Sequence, residues 1–438
     1  MSERLAQTLD WLYSLEARGE IYKLERMEHA LALIGNPHLA INAVHIAGTK
    51  GKGSVAAMLD AGLRAAGYRV GLYTKPHLVN LSERTRIDGA EIAPALMLDY
   101  IERLRRIFEG AGLGLTFFEF TVAMMFLYFA EAKVDVAVIE TGLGGRLDST
   151  NVVKPLLSVI TPIGFDHVEY LGYTIPSIAA EKGGIIKEGV PVVIGSRDDE
   201  ARNTLLAMAS SRHSAARLID RDFSFVSHAP AHRLDYHGLG LELSGVEISL
   251  AGPFQHENAA IAIATLEAMR AQGWSRIDEN SIRRGLRDTY WPGRFDIVSK
   301  KPLVIFDCAH NEMSVAALLE TLSLELGPSV RPRLIFGCLA DKNWTKMAEM
   351  LRTRVSDVTL TRVKPKRPLD PENLLPLFAS HMPARIEREA THAIELVLSE
   401  CGPDDVVLAT GSVYFIGEVY GWLLGRQGRG GLFPEARI

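Results

Sequence analysis

The stretch "HIAGTKGKGSVAAML" at residues 45–59 brings three glycines and two lysines together between two apolar segments. The apolar run at residues 44–47 predicts a short buried strand. Apolar residues recur at helical spacing after the glycines, at Val55, Met58, Leu59 and Leu63. A strand, a glycine-rich loop and a helix in this order direct backbone N–H groups, a helix N-terminus and a lysine at one anion. The stretch therefore predicts a phosphate-binding loop in an α/β protein.

The loop departs from the common pattern G-x-x-x-x-G-K-[ST]. If Gly51 and Lys52 are aligned with its Gly-Lys pair, Gly53 stands where the hydroxyl residue belongs, and Ser54 follows one position late. A glycine-rich turn with two solvated lysines is the alternative interpretation of the same residues.

Composition limits the possible classes of protein. The chain has 438 residues, which suggests two or three domains, with 47% hydrophobic and 23% charged residues. A net charge of −5 argues against nucleic acid as a partner, and the basic run "RVKPKRP" at residues 362–368 is expected to be a solvated loop. The longest apolar stretch, near residues 122–130, is too short to span a bilayer.

The cysteines and the N-terminal segment predict a cytoplasmic protein. Cys308, Cys338 and Cys401 are far apart and odd in number, so they form neither a disulfide framework nor a zinc motif. The first twenty residues carry early acidic side chains and lack the apolar core of a signal peptide.

Buried strands and helices alternate along the chain. Strands are predicted at Val70–Tyr73, Val134–Glu140, Leu156–Ile160, Val190–Ile194, Val304–Phe306, Leu334–Phe336 and Val406–Ala409, with helices at Ala95–Ile107 and Glu119–Ala132. This alternation indicates parallel sheets covered by helices. The segment "YWPGRFD" at residues 290–296 is interpreted as a hinge, which divides the chain into domains at 1–292 and 293–438.

Polar side chains follow several predicted strands in the first domain, where ligands of parallel sheets bind. Glu140 ends one strand and could hold magnesium, although it could also be a turn residue. Asp166 and His167 follow the next strand. Lys182 is predicted at a helix start, and the residues alone favour a solvated lysine.

The second domain repeats this arrangement. Asp307, His310 and Asn311 follow one strand, and Gly411 and Ser412 follow another. Each group alone would also suit a turn. In addition, Arg294 in the hinge could reach a phosphate, and Asn258 is predicted in the first turn of a helix at residues 252–269, where it could cap the helix or bind a nucleotide.

Eleven ordered segments together resemble the folylpolyglutamate synthase and dihydrofolate synthase family, within the Mur ligase group. They are "IGNP", "HIAGTKGKGS", "YTKPHLVNLSER", "FFEFT", "ETGLGGRLDSTN", "ITPIGFDH", "EKGGIIK", "WPGRFD", "FDCAHN", "FGCLADKNW" and "ATGSVYF". In the phosphate loop of this family, the hydroxyl residue also stands one position later than in the common pattern.

The resemblance implies a P-loop ATPase domain with a parallel sheet and a smaller, Rossmann-like C-terminal α/β domain. It implies a ligase that uses ATP and two magnesium ions to add L-glutamate to dihydropteroate, to reduced folates, or to both, through an acyl phosphate. A monomer that acts on small molecules is expected.

Site residues follow from the same resemblance, position by position. The expected ATP contacts are Gly48, Thr49, Gly51, Lys52, Gly53, Ser54, Asn258, Arg294 and Asp307. Metal ligands are Glu140, His167 and Lys182, the last as a carbamate. The pteroate contacts are Phe117, Phe118, Glu119, Leu147, Asp148 and Ser149, and the glutamate contacts are His310 and Ser412. Catalytic roles are expected for Lys52, Lys182 and His310.

Two positions depart from the family pattern. Lys50 replaces an asparagine in the phosphate loop, and Lys75 replaces a serine that completes the ligands of the first magnesium. We expect water to replace the serine and Lys75 to turn toward ATP or toward an acid such as Glu83. Two other functions remain open: a Mur-type ligase that acts on a cell-wall precursor, and a nucleotide-binding protein that has lost catalysis.

Overall fold

The computed structural model describes residues 3–19, 23–228, 231–364 and 368–426, so the basic run at 362–368 lies partly outside the described residues. The α/β fold class is confirmed. The helices are α1 (Glu3–Ser14), α2 (Leu24–Leu33), α3 (Lys52–Ala65), α4 (Pro94–Gly110), α5 (Phe117–Glu131), α6 (Val168–Leu171), α7 (Ile175–Gly183), α8 (Asp199–Ser211), α9 (Pro253–Ala271), α10 (Glu279–Asp288), α11 (Glu312–Leu326), α12 (Trp344–Leu351), α13 (Pro371–Ala379), α14 (Ala390–Glu400) and α15 (Val413–Arg426).

The first sheet carries the phosphate loop. Its strands are β1 (Ala43–Ala47), β2 (Val70–Tyr73), β3 (Thr85–Ile87), β4 (Ala90–Glu91), β5 (Val136–Glu140), β6 (Leu157–Ile160), β7 (Val192–Ile194) and β8 (Ala216–Leu218). They lie in the order β4-β3-β2-β5-β1-β6-β7-β8. All neighbours are parallel except at one edge, where β3 and β4 run antiparallel. The carboxyl ends of β5, β1 and β6 therefore lie side by side.

Helices cover both faces of this sheet. Residues of α3, α9 and α10 form one buried apolar cluster with it, and residues of α1, α2, α4 and α5 form another. Every residue of β1 and β5 is buried. Strands buried on both faces consist of nearly continuous apolar runs, which is why these strands could be predicted from the sequence.

Three predicted strands begin late in the structure, at Val136, Leu157 and Val192. The reason is local turn geometry. The Val134 N–H donates to the carbonyl of Phe129 and closes the end of α5, and the Val190 N–H donates to the carbonyl of Lys187. An apolar residue can close a turn as readily as it can begin a strand.

A small antiparallel sheet was not predicted. It consists of β9 (Ser224–His228), β10 (Arg233–His237) and β11 (Glu242–Glu247), and β10 lies in its centre. Leu234 and Tyr236 of β10 are buried against α9, whereas their neighbours carry polar groups outward. The period-2 alternation in "RLDYH" is the sequence signal that could have revealed it.

The second large sheet is also predominantly parallel. Its strands are β12 (Asp296–Lys300), β13 (Leu303–Phe306), β14 (Arg333–Phe336), β15 (Asp357–Arg362), β16 (Ala384–Glu389) and β17 (Val406–Thr410), in the order β12-β13-β17-β14-β15-β16. Only β12, at one edge, is antiparallel to its neighbour among these strands. The chain crosses from the first half of the molecule into this sheet through residues 289–295.

The two sheets pack closely beside this crossing. Leu78 and Val79, from the first half of the chain, pack against the apolar cluster that includes α14 and α15. A Cβ added at Gly417 of α15 would lie 2.0 Å from the carbonyl oxygen of Leu78, so only glycine permits this approach.

None of the helices in the part of the chain that the structure describes has the length and apolar character needed to cross a bilayer. All three cysteines are free thiols, with Cys308 and Cys338 buried and Cys401 partly exposed.

Candidate functional site

The phosphate loop lies at the carboxyl end of β1. It runs from Gly48 to Ser54, and its last residues form the start of the 14-residue helix α3, which begins at Lys52. Thr49 anchors the loop to the segment after β6, because its hydroxyl donates to the carbonyl of Gly164 at 3.0 Å and accepts the Gly164 N–H at 3.1 Å. The backbone N–H groups at the helix N-terminus form a site for anions.

Glycine is required at two positions of this loop. Gly51 has φ 82° and Gly48 has φ 149°. A Cβ at Gly51 would lie 2.2 Å from Oδ1 of Asn258, and one at Gly48 would lie 1.9 Å from Oγ1 of Thr161. Asn258 therefore packs directly on the loop.

We expect Gly51→Ala to weaken ADP binding at least about tenfold, because the left-handed backbone costs alanine roughly 1–2 kcal/mol and the added carbon displaces Asn258. Calorimetric titration with ADP measures this. Gly189→Ala is the matched control, because Gly189 has φ 68° but open space around its Cβ position. Equal ADP affinities of Gly51→Ala and wild type would contradict the assignment of the loop.

Two ammonium groups converge on the carbonyl oxygen of Gly48. Nζ of Lys52 donates to it at 2.9 Å, and Nζ of Lys182 donates to it at 2.8 Å. Lys182 is only 3% exposed, and it lies at the end of α7, so the prediction of a solvated lysine at a helix start was wrong. Burial lowers the pKa of Lys182 to about 7, and the charge of Lys52 acts in the same direction.

Glu140 is a buried carboxylate beside the loop. It ends β5, is 4% exposed, and pairs in register with Ile46 of β1. The Lys75 N–H donates to its Oε2 at 3.2 Å. Burial raises the pKa of Glu140, while the charges of Lys52, Lys75 and Arg294 oppose this shift.

His167 follows β6, the strand that pairs with β1. Its side chain is 50% exposed, and its Nε2 lies 3.7 Å from Oδ1 of Asp166. Partial burial lowers the pKa of His167, and the charge of Asp166 opposes this effect. Among the described residues, no three carboxylate, imidazole or thiol groups are arranged to hold a metal by themselves. Glu140 still fits magnesium, which needs one or two protein carboxylates and takes its other ligands from phosphates and water.

Lys75 and Lys50 add positive charge beside the loop. Lys75 lines the cleft between the two large sheets, together with Gly53, Glu140 and Arg294. Partial burial lowers the pKa of Lys50, and the charge of Asp166 opposes this shift.

Glu83, an acid toward which Lys75 was expected to turn, accepts three backbone hydrogen bonds. The N–H groups of Leu78, Val79 and Asn80 donate to its carboxylate at 2.7, 2.7 and 2.6 Å. Its carboxylate therefore organises the loop that follows Lys75.

Of the nucleotide candidates in the second half of the chain, Arg294 lines the same cleft. Nη1 of Arg294 donates to the carbonyl of Gly293 at 3.0 Å. Asp307 is buried, and its carboxylate accepts the N–H groups of Phe295 and Ala309, both at 2.8 Å. Burial raises the pKa of Asp307, and the charge of Arg294 opposes it.

Asn258 lies in the second turn of its helix, not the first, because α9 begins at Pro253. Its Nδ2 donates to Oε1 of Gln255 at 2.9 Å. Asn258 therefore does not cap the helix; it packs against the phosphate loop.

His310 and Ser412 lie at the carboxyl ends of the neighbouring strands β13 and β17. Nδ1 of His310 donates to the carbonyl of Cys308 at 2.8 Å, which directs Nε2 away from this contact. Burial lowers the pKa of His310, so the neutral imidazole is favoured. Oγ of Ser412 accepts the N–H of Tyr414 at 3.1 Å.

The aromatic candidates for pteroate binding lie at the start of α5. The ring of Phe117 stacks on that of Tyr13 with centroids 5.5 Å apart, and Cζ of Arg84 lies 5.0 Å from the centroid of Phe117. Phe118 packs beside Gly142, where a Cβ would lie 2.5 Å from its Cζ.

The acidic candidates make internal contacts. Glu119 caps α5 through the N–H of Thr116 and forms an ion pair with Arg26 at 3.1 Å. Asp148 accepts hydrogen bonds from Gly142, Leu143 and Thr150, which fold the loop after β5. Beside Asp148, Leu147 is partly exposed and Ser149 is buried.

Two further residues act on the candidate site, although the sequence analysis did not single them out. Trp291 packs over the phosphate loop, where a Cβ on Gly53 would lie 3.0 Å from its ring. Lys342 contributes positive charge at both His167 and His310. Both occur in quoted segments, "WPGRFD" and "FGCLADKNW", but a lone tryptophan or lysine carries no signal of its own.

Comparison with known families matches both halves of the chain. Residues 46–266 match the Mur ligase middle domain, and residues 293–413 match the glutamate ligase domain of Mur ligases. The first match contains the phosphate loop, and the second contains His310 and Ser412.

Individual relatives match nearly the whole chain. The dihydrofolate synthase/folylpolyglutamate synthase of Bacillus subtilis is 35% identical and covers 93% of this chain and 96% of its own. The crystal structure of folylpolyglutamate synthase from Thermotoga maritima superimposes with a TM-score of 0.86, at 35% identity, over 96% of both chains. A bifunctional folylpolyglutamate synthase/dihydrofolate synthase with Mn, AMPPNP and L-glutamate bound matches with a TM-score of 0.83, at 30% identity, over 95% of this chain and 98% of its own. The chain therefore belongs to the folylpolyglutamate synthase/dihydrofolate synthase family of ATP-dependent, amide-forming Mur ligases.

Proposed function

We propose that this protein adds L-glutamate to the carboxylate of dihydropteroate, of a reduced folate, or of both, at the expense of ATP. One observation carries the proposal: Gly53 of the phosphate loop, Glu140 and Arg294 line a single cleft between the two large sheets. The family relationship supports it further, because one matched structure holds a nucleotide analogue, manganese and L-glutamate together.

The chemistry proceeds in two steps. An oxygen of the pterin carboxylate attacks the γ-phosphorus of ATP, which forms an acyl phosphate and releases ADP. The amine of glutamate then attacks the carbonyl carbon, loses a proton, and expels inorganic phosphate. The chain must align both substrates and keep water from the acyl phosphate.

The residues of the first half hold the phosphates in this proposal. The loop from Gly48 to Ser54 supplies N–H groups, and Lys52 supplies the charge that stabilises the transferred phosphoryl group. Asn258, which packs on this loop, and Arg294 and Asp307, from the second half of the chain, complete the nucleotide site.

Magnesium would be held by Glu140, His167 and a carbamate on Lys182, with ATP and water as the remaining ligands. When bound, magnesium neutralises the phosphate charge during phosphoryl transfer. The burial of Lys182 among other cations supports the carbamate, because conversion of the amine to an anion removes the repulsion between these groups.

The organic substrates occupy the two ends of the cleft. His310 and Ser412 bind the incoming glutamate. Phe117, Phe118 and Leu147 contact the pteroate, while Glu119, Asp148 and Ser149 support this surface through the contacts described above.

Our proposal includes a division of the chain into domains 1–292 and 293–438, a monomer, and a cytoplasmic location. The three free thiols support the location, since cysteines stay reduced there.

A ligase of cell-wall precursors and an inactive nucleotide-binding protein are the competing functions. The substrates required for release of ADP and phosphate distinguish these functions from the proposed reaction. We expect that release requires both glutamate and a pterin acid. Release that requires a cell-wall precursor instead would favour the first competitor, and nucleotide binding without turnover would favour the second.

We expect Lys75→Ser to lower or leave unchanged the magnesium concentration at half-maximal activity. An ammonium about 4 Å from a divalent ion would repel it by several kcal/mol even at an effective dielectric constant of about 20, whereas an ammonium turned away from the metal would leave its affinity unchanged. Magnesium titrations of ligation measure this.

Lys75→Met is the matched control, because it removes the charge without adding an oxygen ligand. The activity of wild type itself is the decisive comparison. If wild type showed no magnesium-dependent ligation and Lys75→Ser restored it, the wild-type protein would be an inactive homologue.

A further inference from the structure

The carboxylate of Asp296 accepts hydrogen bonds from the segment that crosses between the two large sheets, residues 289–295, and from a helix of the C-terminal half. The hydroxyl of Tyr290 donates to its Oδ2 at 3.0 Å, and the Gly293 N–H donates to the same oxygen at 3.3 Å. The hydroxyl of Tyr420, on α15, also donates to it. Asp296 thus connects two residues of the crossing to a helix of the C-terminal half.

Arg294 lies between two backbone groups that are held by carboxylates. Asp296 accepts the N–H of Gly293, and Asp307 accepts the N–H of Phe295 at 2.8 Å. Gly293 has φ 70° and Phe295 has φ 47°. The left-handed conformation is unfavourable for a phenylalanine. The backbone conformation around Arg294 is therefore maintained by its contacts, which include the two hydrogen bonds to Asp296 and Asp307.

The side chain of Arg294 depends on the same backbone. Its Nη1 donates to the carbonyl of Gly293 at 3.0 Å. The guanidinium lines the cavity shared with Gly53 of the phosphate loop and with Glu140. A displacement of Gly293 would therefore move both the backbone of Arg294 and the carbonyl that orients its guanidinium.

We propose that Asp296 is a positioning residue for nucleotide binding, which fixes the linker so that Arg294 reaches the phosphates from the C-terminal side of the cleft. This inference rests on the proposed function, in which Arg294 contacts ATP. Asp296 itself does not line the cavity, so its effect passes through Arg294.

Calorimetric ADP titrations of the full chain test this coupling. We expect Asp296→Ala and Arg294→Ala each to weaken binding about tenfold, the amount that corresponds to one charge-assisted contact. The double variant should bind no more weakly than Arg294→Ala, because the contact that Asp296 positions is already absent. A merely structural role for Asp296 would instead reduce affinity by the same factor in both backgrounds, which would overturn the proposal.

Two further variants keep the test independent of folding. Tyr420→Phe removes one donor and leaves the carboxylate, and we expect a weakening of a few-fold that disappears in the Arg294→Ala background. Asp235→Ala is the matched control, since this partly exposed carboxylate of the small antiparallel sheet accepts the Gly245 N–H at 2.6 Å, and wild-type affinity is expected. Wild-type affinity in both Asp296→Ala and Tyr420→Phe would overturn the proposal. Failure of the wild-type protein to bind ADP would instead overturn the proposed function, and this inference with it.

Discussion

Replacement of Lys52 by alanine is expected to abolish ligation. The Lys52 ammonium lies at the start of α3 and contacts the carbonyls of Gly48 and Thr49, at 2.9 and 3.4 Å. A phosphate bound in this loop would offer it a stronger, fully charged acceptor. One such contact contributes roughly 1.5–3 kcal/mol to binding, and a group aligned with charge that develops during transfer adds a further factor of about 10²–10³ in rate.

Single-turnover formation of ADP measures the effect on chemistry, and ADP titration measures the effect on binding. We expect the rate of chemistry to fall by a factor of about 10²–10³ and affinity to fall by about tenfold to a hundredfold, so that ligation at ordinary substrate concentrations is lost. The unfolding temperature should change little, because Lys52 is only partly buried. Turnover near the wild-type rate would exclude Lys52 from the phosphate site.

Replacement of Lys182 by alanine should cost roughly a hundredfold in activity, within the range found when groups that support a metal are removed. The amine is nearly inaccessible to solvent and lies close to the charges of Lys52 and Lys75. Addition of carbon dioxide to the neutral amine forms an N–C bond and releases one proton, which leaves an anion in this cationic site.

Carbon-13 NMR of protein equilibrated with labelled bicarbonate detects this group directly. We expect a carbamate resonance in wild type that is absent from Lys182→Ala. Lys187→Ala is the matched control, because Nζ of Lys187 also donates to a backbone carbonyl, that of Asn151 at 2.8 Å. Full activity of Lys182→Ala together with no carbamate signal in wild type would remove Lys182 from the site.

The phosphate loop could be predicted from sequence because every signal in it is local. A buried strand, glycines at left-handed positions and a helical apolar period follow one another within residues 43–65. Helices α4 and α5 were also predicted, and the structure moves their ends by only one to three residues.

Local patterns could not predict contacts between distant segments. Lys182 is buried because α7 packs beside a loop 134 residues earlier in the chain, and no feature of "EKGGIIK" encodes that contact. The internal contacts of Glu119 depend in the same way on Arg26, which is 93 residues away. Family resemblance predicts that both residues belong to the site, whereas only the structure gives their hydrogen-bond partners.

Transfer of a carboxylate oxygen to phosphate tests the central claim most directly. Dihydropteroate and a reduced folate, each labelled with oxygen-18 in the reacting carboxylate, are incubated separately with ATP, magnesium and L-glutamate. We expect at least one of them to yield a product larger by one glutamyl residue and inorganic phosphate that carries one oxygen-18 atom. Unlabelled phosphate would contradict the acyl-phosphate route, and the absence of a glutamylated product from both substrates would contradict the ligase itself.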